Sequence, residues 1–183
     1  MHDDMTTAKR VRPLFAKRGL TLSLIVPCYN EREGLPRLLD AVEQTRRDLG
    51  PTYGWELIFV DDGSTDGTSE RLDEMCGRID GARTVHHVRN QGLGAALRTG
   101  FQQARGELIA TIDSDCTYDP RELTQMVTML EQGADIVVAS PYHPAGAVVG
   151  VPGYRLLLSR NLSRLYQWAT GSPIYTYTSL FRL

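Results

Sequence analysis

The chain has 183 residues and a formal net charge of −2, with 42% hydrophobic and 23% charged residues. That length can enclose one real core, the composition is that of an ordinary globular protein, and the near-neutral charge argues against a general nucleic-acid binder. The charge is unevenly spread, however: residues 136–183 hold four arginines (Arg155, Arg160, Arg164 and Arg182) and no acid, leaving 16 basic against 22 acidic groups, a net of −6, in the first 135. A purely basic final quarter on an acidic body points to a local anion site.

Residues 1–20 read as a polar tail. Its "MHDDMTTAKRVRPLFAKRG" lacks the apolar centre of a signal peptide, and no apolar run approaches the roughly 18 residues of a membrane span. Cys28, Cys76 and Cys116 are odd in number and far apart, without metal-ligand spacing, and so read as reduced thiols of a cytosolic protein.

Residues 21–183 read as one α/β domain. "LTLSLIVP" is a buried strand, and the helix after it shows apolar spacing at Leu35, Leu38, Leu39, Val42 and Leu49 before Gly50-Pro51 stops it. "WELIFVDDGS" is a second strand, followed by a helix that Ser64 or Asp66 would cap. "RTVHHV" is a shorter strand, and the next helix is expected to pack through Leu93, Leu97, Phe101 and Ala104. After the apolar strand "ELIATID", Asp119, Pro120 and Glu122 form a capping-box start to a helix buried through Leu123, Met126, Val127 and Leu130. "ADIVVAS" is one more strand, residues 140–153 a Pro- and Gly-rich loop, and the last helix would bury Leu158, Leu162, Leu165 and Ala169. "PIYTYTSLFRL" ends as a strand without a turn or cap, so the chain is expected to be cut short at its C-terminus. Repeated strand-then-helix units predict a mostly parallel sheet with helices on both faces.

Ligands of such sheets bind outside the carboxyl ends of the strands. Three polar clusters fall there: "PCYNE" (27–31), "VDDGS" (60–64) and "DSD" (113–115). Taken singly they are weak signals, since Asp-Asp-Gly is also turn-and-cap chemistry and Glu31 also suits the first turn of a helix. Asp113 and Asp115 are harder to explain without a ligand. Alternate strand residues point to one side, and two converging carboxylates suit a hard divalent cation, Mg²⁺ or Mn²⁺, that also takes substrate phosphates.

"SLIVPCYNE", "IFVDDGSTDGT", "RNQGLGAALRTGFQQARGE" and "DSDCTYDP" together resemble the family 2 glycosyltransferases of the GT-A fold, and within them the dolichyl- or polyprenyl-phosphate sugar synthase branch. The resemblance runs from about residue 21 to the end. It implies a nucleotide-sugar donor, such as GDP-mannose or a UDP-hexose, inversion at the sugar carbon and a divalent metal on Asp113 and Asp115. Position by position it implies that Pro27, Tyr29 and Glu31 line the nucleoside pocket, that Val60 and Asp62 contact base or ribose, that Asp113 and Ser114 meet the nucleotide, and that Asp115 binds metal directly. Arg155 and Ser159 fit the family's Arg-x-x-x-Ser helix. Two departures stand out: Thr117 replaces a glutamine that ligates metal in some relatives, and Ser140-Pro141-Tyr142 lacks the usual phosphate arginine, leaving His143 as the nearby substitute.

A hydroxyl acceptor needs a general base, whereas a lipid phosphate arrives as an anion. The acceptor side offers arginines and no carboxylate, so a polyprenyl-phosphate acceptor is the expectation, with Arg155 and Arg160 beside its phosphate. Arg164 reads more simply as a solvated charge. Such an acceptor places the protein at the cytoplasmic face of a membrane as a peripheral partner, through Val148, Val149 and Val151 of the long loop. The alternatives are a family 2 transferase acting on a saccharide hydroxyl and a non-catalytic nucleotide-sugar binding module. His86 and His87 read as structural, Tyr175 and Tyr177 as sheet packing ahead of an acceptor role, and Gly92 and Gly94 as either a weak phosphate-binding signal or close backbone packing.

Overall fold

The computed structural model describes residues 20–116, 118–140, 153–171 and 179–183. Strands β1 (Thr21–Cys28), β2 (Gly54–Asp61), β3 (Ala82–His86) and β4 (Leu108–Thr111) form one parallel sheet in the order β3-β2-β1-β4. Between and after them run helices α1 (Leu35–Leu49), α2 (Thr68–Cys76), α3 (Leu93–Gln103), α4 (Leu123–Glu131) and α5 (Gly153–Thr170).

The central strands are apolar along nearly their whole length because both faces are covered. Leu22, Leu24, Val26, Leu57 and Phe59 alternate toward the larger core beneath α1, α2 and α4, where Leu35, Leu38, Val42, Leu72, Leu123, Met126 and Leu130 meet them. Ile25, Ile58 and Val60 point the other way, onto Ala96 of α3. The two-residue period of the strands thus separates two helical layers. Gly50 ends α1 with φ 65°, a conformation that costs glycine little.

Several local expectations are corrected. Helix α3 buries Ala96 and Gly100, while Leu93 and Phe101 are exposed. Helix α5 shows the opposite of its expected orientation: Ser163 is buried at 3%, whereas Leu158, Leu162 and Leu165 are 66%, 41% and 58% exposed. Apolar spacing marks a helix face but does not say where a neighbour stands. Asp119 does cap, accepting from the Arg121 N–H at 3.0 Å, ahead of a 3-10 turn over Pro120–Glu122 that leads into α4. Asp66 accepts the Thr68 N–H in the first turn of α2, with Gly67 at the cap position itself.

Residues 134–139 do not extend the parallel sheet as a full strand. Instead the last residues of the chain run antiparallel between them and β4: Arg182 bridges both Thr111 and Val138. The bonds are Thr111 N–H to Arg182 O (2.8 Å), Val137 N–H to Leu183 O (2.7 Å) and Ala139 N–H to Phe181 O (3.1 Å). Phe181 is fully buried there and Leu183 nearly so. That insertion closes the sheet beside the Asp113–Asp115 segment.

Candidate active site

The three polar clusters lie where the sheet topology requires, beyond the carboxyl ends of β1, β2 and β4. In the register of the sheet, Cys28 stands opposite Asp61, so "PCYNE" and "VDDGS" leave adjacent strands side by side. Asn30 turns with φ 55° and locks the two loops together. Its N–H donates to Ser64 Oγ (2.9 Å) and its Oδ1 accepts the Thr65 N–H (2.8 Å). The Glu31 N–H donates to Thr68 Oγ1 at 2.9 Å. Pro27 is buried, Tyr29 is 45% exposed and Glu31 is half-buried. Of this trio, the tyrosine and the glutamate present surface to a ligand.

Asp113, Ser114 and Asp115 follow β4 in a turn, not in the strand itself. Strand alternation therefore does not bring the two carboxylates together. The turn does so, with Cys116 adopting φ 55° immediately after it. Burial, then the neighbouring charge of Asp115, raises the Asp113 carboxyl to about 6. Burial followed by Asp115 and Asp66 also raises the Glu31 carboxyl, against a hydrogen bond from Ser114. Ser114, itself buried, thus ties the first cluster to the third. Three acids crowding one edge are the electrostatic setting that a cation relieves.

Among the described residues no group of three or more His, Cys, Asp or Glu side chains closes into a metal cage. A pair of aspartates at an open edge is nonetheless the donor set Mg²⁺ or Mn²⁺ accepts when phosphate oxygens complete the shell. The residues fit such an ion. Cys28 at the same corner is buried, and that burial pushes its thiol far above the ordinary range.

Asp61 and Asp62 are both buried, at 1% and 4% exposure. Asp62 Oδ1 accepts from His87 Nδ1 (2.7 Å) and the Gln91 N–H (2.9 Å), and Oδ2 from the Gly92 N–H (2.7 Å). Burial would raise this carboxyl, but these bonds outweigh it and hold it below the usual range. Asp61 accepts from the Ser64 N–H (3.0 Å), the Ser69 hydroxyl and His86 Nδ1 (2.9 Å). Val60 is fully buried among Ile25, Ile58 and Ala96, so its side chain supports the site from beneath.

Arg155 lies in the first turn of α5, with Ser159 and Arg160 one turn or more along it. His143, Thr117, Val148, Val149, Val151, Tyr175 and Tyr177 lie outside the described residues. The sequence reading missed the bonding of His86 and His87 to the aspartates. The signal was available in principle, since Asp-Asp ends β2 and His-His ends β3, and these strands are parallel neighbours.

The model of glycosyl transferase family 2 matches residues 23–181. The polyprenol monophosphomannose synthase of Mycolicibacterium smegmatis is 32% identical over 87% of this chain and 59% of its own length. The undecaprenyl-phosphate 4-deoxy-4-formamido-L-arabinose transferase of Pseudomonas paraeruginosa is 34% identical over 88% of this chain and 46% of its own. The chain therefore spans about half the length of these relatives. Among solved structures, a mannosyltransferase from Pyrobaculum calidifontis in complex with GDP-Man and Mn²⁺ superposes with a TM-score of 0.54 at 28% identity, over 66% of this chain and 35% of that one.

Proposed function

The chain belongs to glycosyl transferase family 2, and from that premise we propose that it transfers a sugar from a nucleotide-diphosphate donor to a polyprenyl phosphate, with inversion at the sugar carbon. The observation that carries this reading is the meeting of the Tyr29–Glu31 and Asp113–Asp115 clusters through Ser114 at one sheet edge. A nucleoside pocket and a diphosphate-binding pair belong together in such an enzyme. Relatives that act on polyprenyl phosphates, and a similar structure holding GDP-Man and Mn²⁺, support the same substrate classes.

In this reading Tyr29 and Glu31 receive the nucleoside, while Asp115, with Asp113, holds Mg²⁺ or Mn²⁺. The ion, when bound, neutralises charge on the departing diphosphate. A phosphate oxygen of the acceptor forms the new bond to the anomeric carbon as the bond from that carbon to the diphosphate oxygen breaks. No proton need be removed, because the attacking group is already an anion. The arginine of the Arg-x-x-x-Ser helix, Arg155, stabilises the phosphate charge, with Arg160 and His143 as further candidates.

The same reading places the protein at the cytoplasmic face of a membrane as a peripheral partner. No helix among the described residues is long and apolar enough to cross a bilayer. Tyr154, Leu158, Leu165 and Trp168 of α5 are exposed, and that helix holds three arginines and no acid. Aromatic and aliphatic side chains flanked by cations are what an interfacial helix presents to anionic lipid.

The test is transfer from GDP-mannose and UDP-hexoses to a polyprenyl phosphate and, in parallel, to saccharide acceptors. Transfer to the lipid phosphate is the expected outcome. Transfer only to saccharides would establish a hydroxyl acceptor, and nucleotide binding without transfer would establish a binding module.

A further inference from the structure

We propose that His86 and His87 are positioning residues, each setting one carboxylate of the Asp61–Asp62 turn and so the loops over the nucleoside pocket. The inference rests on the reading of those loops as a nucleotide site.

The geometry is paired. His87 Nδ1 donates to Asp62 Oδ1 at 2.7 Å, and its Nε2 lies 2.9 Å from Thr99 Oγ1 of α3. With one ring nitrogen donating to the carboxylate, the other is left for the threonine hydroxyl to fill. The ring is nearly buried, its side chain 9% exposed, so neither bond is readily replaced by water. Asp62 then takes the N–H groups of Gln91 and Gly92, which fixes the loop from β3 to α3.

His86 bridges differently. Its Nδ1 lies 2.9 Å from Asp61 Oδ2 and its Nε2 3.0 Å from Asp73 Oδ1. Both partners are carboxylates that only accept, so the geometry is satisfied when both ring nitrogens donate, and these two bonds favour the protonated ring. Asp61, held this way, takes the Ser64 N–H, and Ser64 in turn takes the Asn30 N–H beside Tyr29 and Glu31. A chain of bonds therefore runs from Asp73 of α2 to the nucleoside pocket by one imidazole. A second runs from Thr99 of α3 to the Gln91–Gly92 turn by the other. Ligand-holding groups elsewhere are commonly aimed by such outer partners, and none of these histidines needs to touch the nucleotide.

Asparagine and glutamine separate this role from mere packing. An Asn amide reaches the place of Nδ1 and can keep the bond to the aspartate, whereas a Gln amide reaches the place of Nε2 and loses it. His87→Gln should weaken GDP or UDP binding by roughly tenfold or more, the size of one charge-assisted hydrogen bond, and His87→Asn should recover most of it. In steady-state assays the donor KM should rise more than kcat falls. Amide hydrogen exchange of the nucleotide-free protein provides the independent readout: His87→Gln should speed exchange at Gln91 and Gly92, and His86→Gln at Ser64. If wild type binds neither nucleotide, the functional reading fails, and the exchange pattern still decides whether the imidazoles set the turn. Unchanged exchange at those amides, or Asn and Gln variants alike in binding and exchange, would overturn the proposal.

Discussion

Gly100 of α3 lies directly on Ile25 of β1: a Cβ on the glycine would stand 2.3 Å from Ile25 Cγ2. That approach explains why α3 turns Ala96 and Gly100 inward and leaves Leu93 and Phe101 outside. Ile25 is fully buried and branched at Cβ, so it has little room to yield. Gly100→Ala should therefore destabilise the domain by about 1–3 kcal/mol through overpacking, despite alanine's better helix propensity. Chemical denaturation measures this directly, and a stabilised variant would mean that α3 can lift from the sheet without cost.

Glu56 near the start of β2 supplies a pH dependence. Burial opposes its ionisation, but hydrogen bonds from Ser23, the Arg105 N–H and Arg83 outweigh burial and pull its carboxyl down to about 2. Because the folded value lies below the unfolded one, the stabilisation is fully present above about 4.5. It is lost as pH falls from there toward 2. Acid unfolding of wild type should be steeper over that window than that of Glu56→Gln. Parallel curves would show that Glu56 is not ionised against Arg83 in the native protein.

Strands β1–β4 and the three polar clusters were legible because each depends on local pattern. Apolar runs with flanking turns mark buried strands, and their carboxyl ends follow from the topology. What was not legible depends on a partner distant in sequence. Leu93 and Phe101 carry helical spacing, yet Ile25 decides which face of α3 docks. Asp62 is implied by the resemblance to contact base or ribose, and its bond to His87 becomes visible only in the register of β3 against β2. The antiparallel insertion of residues 179–183 beside β4 is likewise a pairing between segments far apart in the chain, which no short window of sequence contains.

That insertion carries its own consequence for the site. The Phe181 ring stands 5.9 Å from the Tyr118 ring, centroid to centroid, just beyond the Asp113–Asp115 turn. Phe181→Ala should cost about 3–5 kcal/mol, the usual loss for a buried aromatic. It should also loosen the turn that brings the aspartates together. Thermal unfolding tests the first effect, and amide exchange at Ser114 and Asp115 tests the second. A large loss of stability with unchanged exchange at the turn would confine Phe181 to the core.

The metal assignment makes a sharper demand. Asp115→Ala should abolish transfer and weaken nucleotide-sugar binding in Mg²⁺ or Mn²⁺ while leaving the fold intact, since Asp115 is exposed and contributes little to the core. Calorimetric titration with and without the ion separates loss of metal from loss of fold. Full activity of wild type in excess EDTA would refute a divalent ion at this pair.

The nature of the acceptor can be decided by two substitutions with opposite expected outcomes. If the acceptor is a phosphate, it brings its own negative charge, and the protein must supply cations instead of a base. Arg155, in the first turn of α5, is then the residue whose loss matters. Removing one preorganised charge-stabilising donor costs about 10²–10³ in kcat, and Arg155→Ala should fall in that range. Asp119 is the nearest carboxylate following the aspartate pair, and its oxygens are engaged with the Arg121 N–H at 3.0 Å and Arg121 Nε at 2.9 Å. It serves as a cap, so Asp119→Asn should cost at most about 1 kcal/mol of stability and leave turnover nearly unchanged. Initial rates on a polyprenyl phosphate, with unfolding curves for both variants, make the comparison. Should Asp119→Asn stop turnover in a well-folded protein while Arg155→Ala barely changes it, a carboxylate is acting as base. The attacking group would then be a hydroxyl.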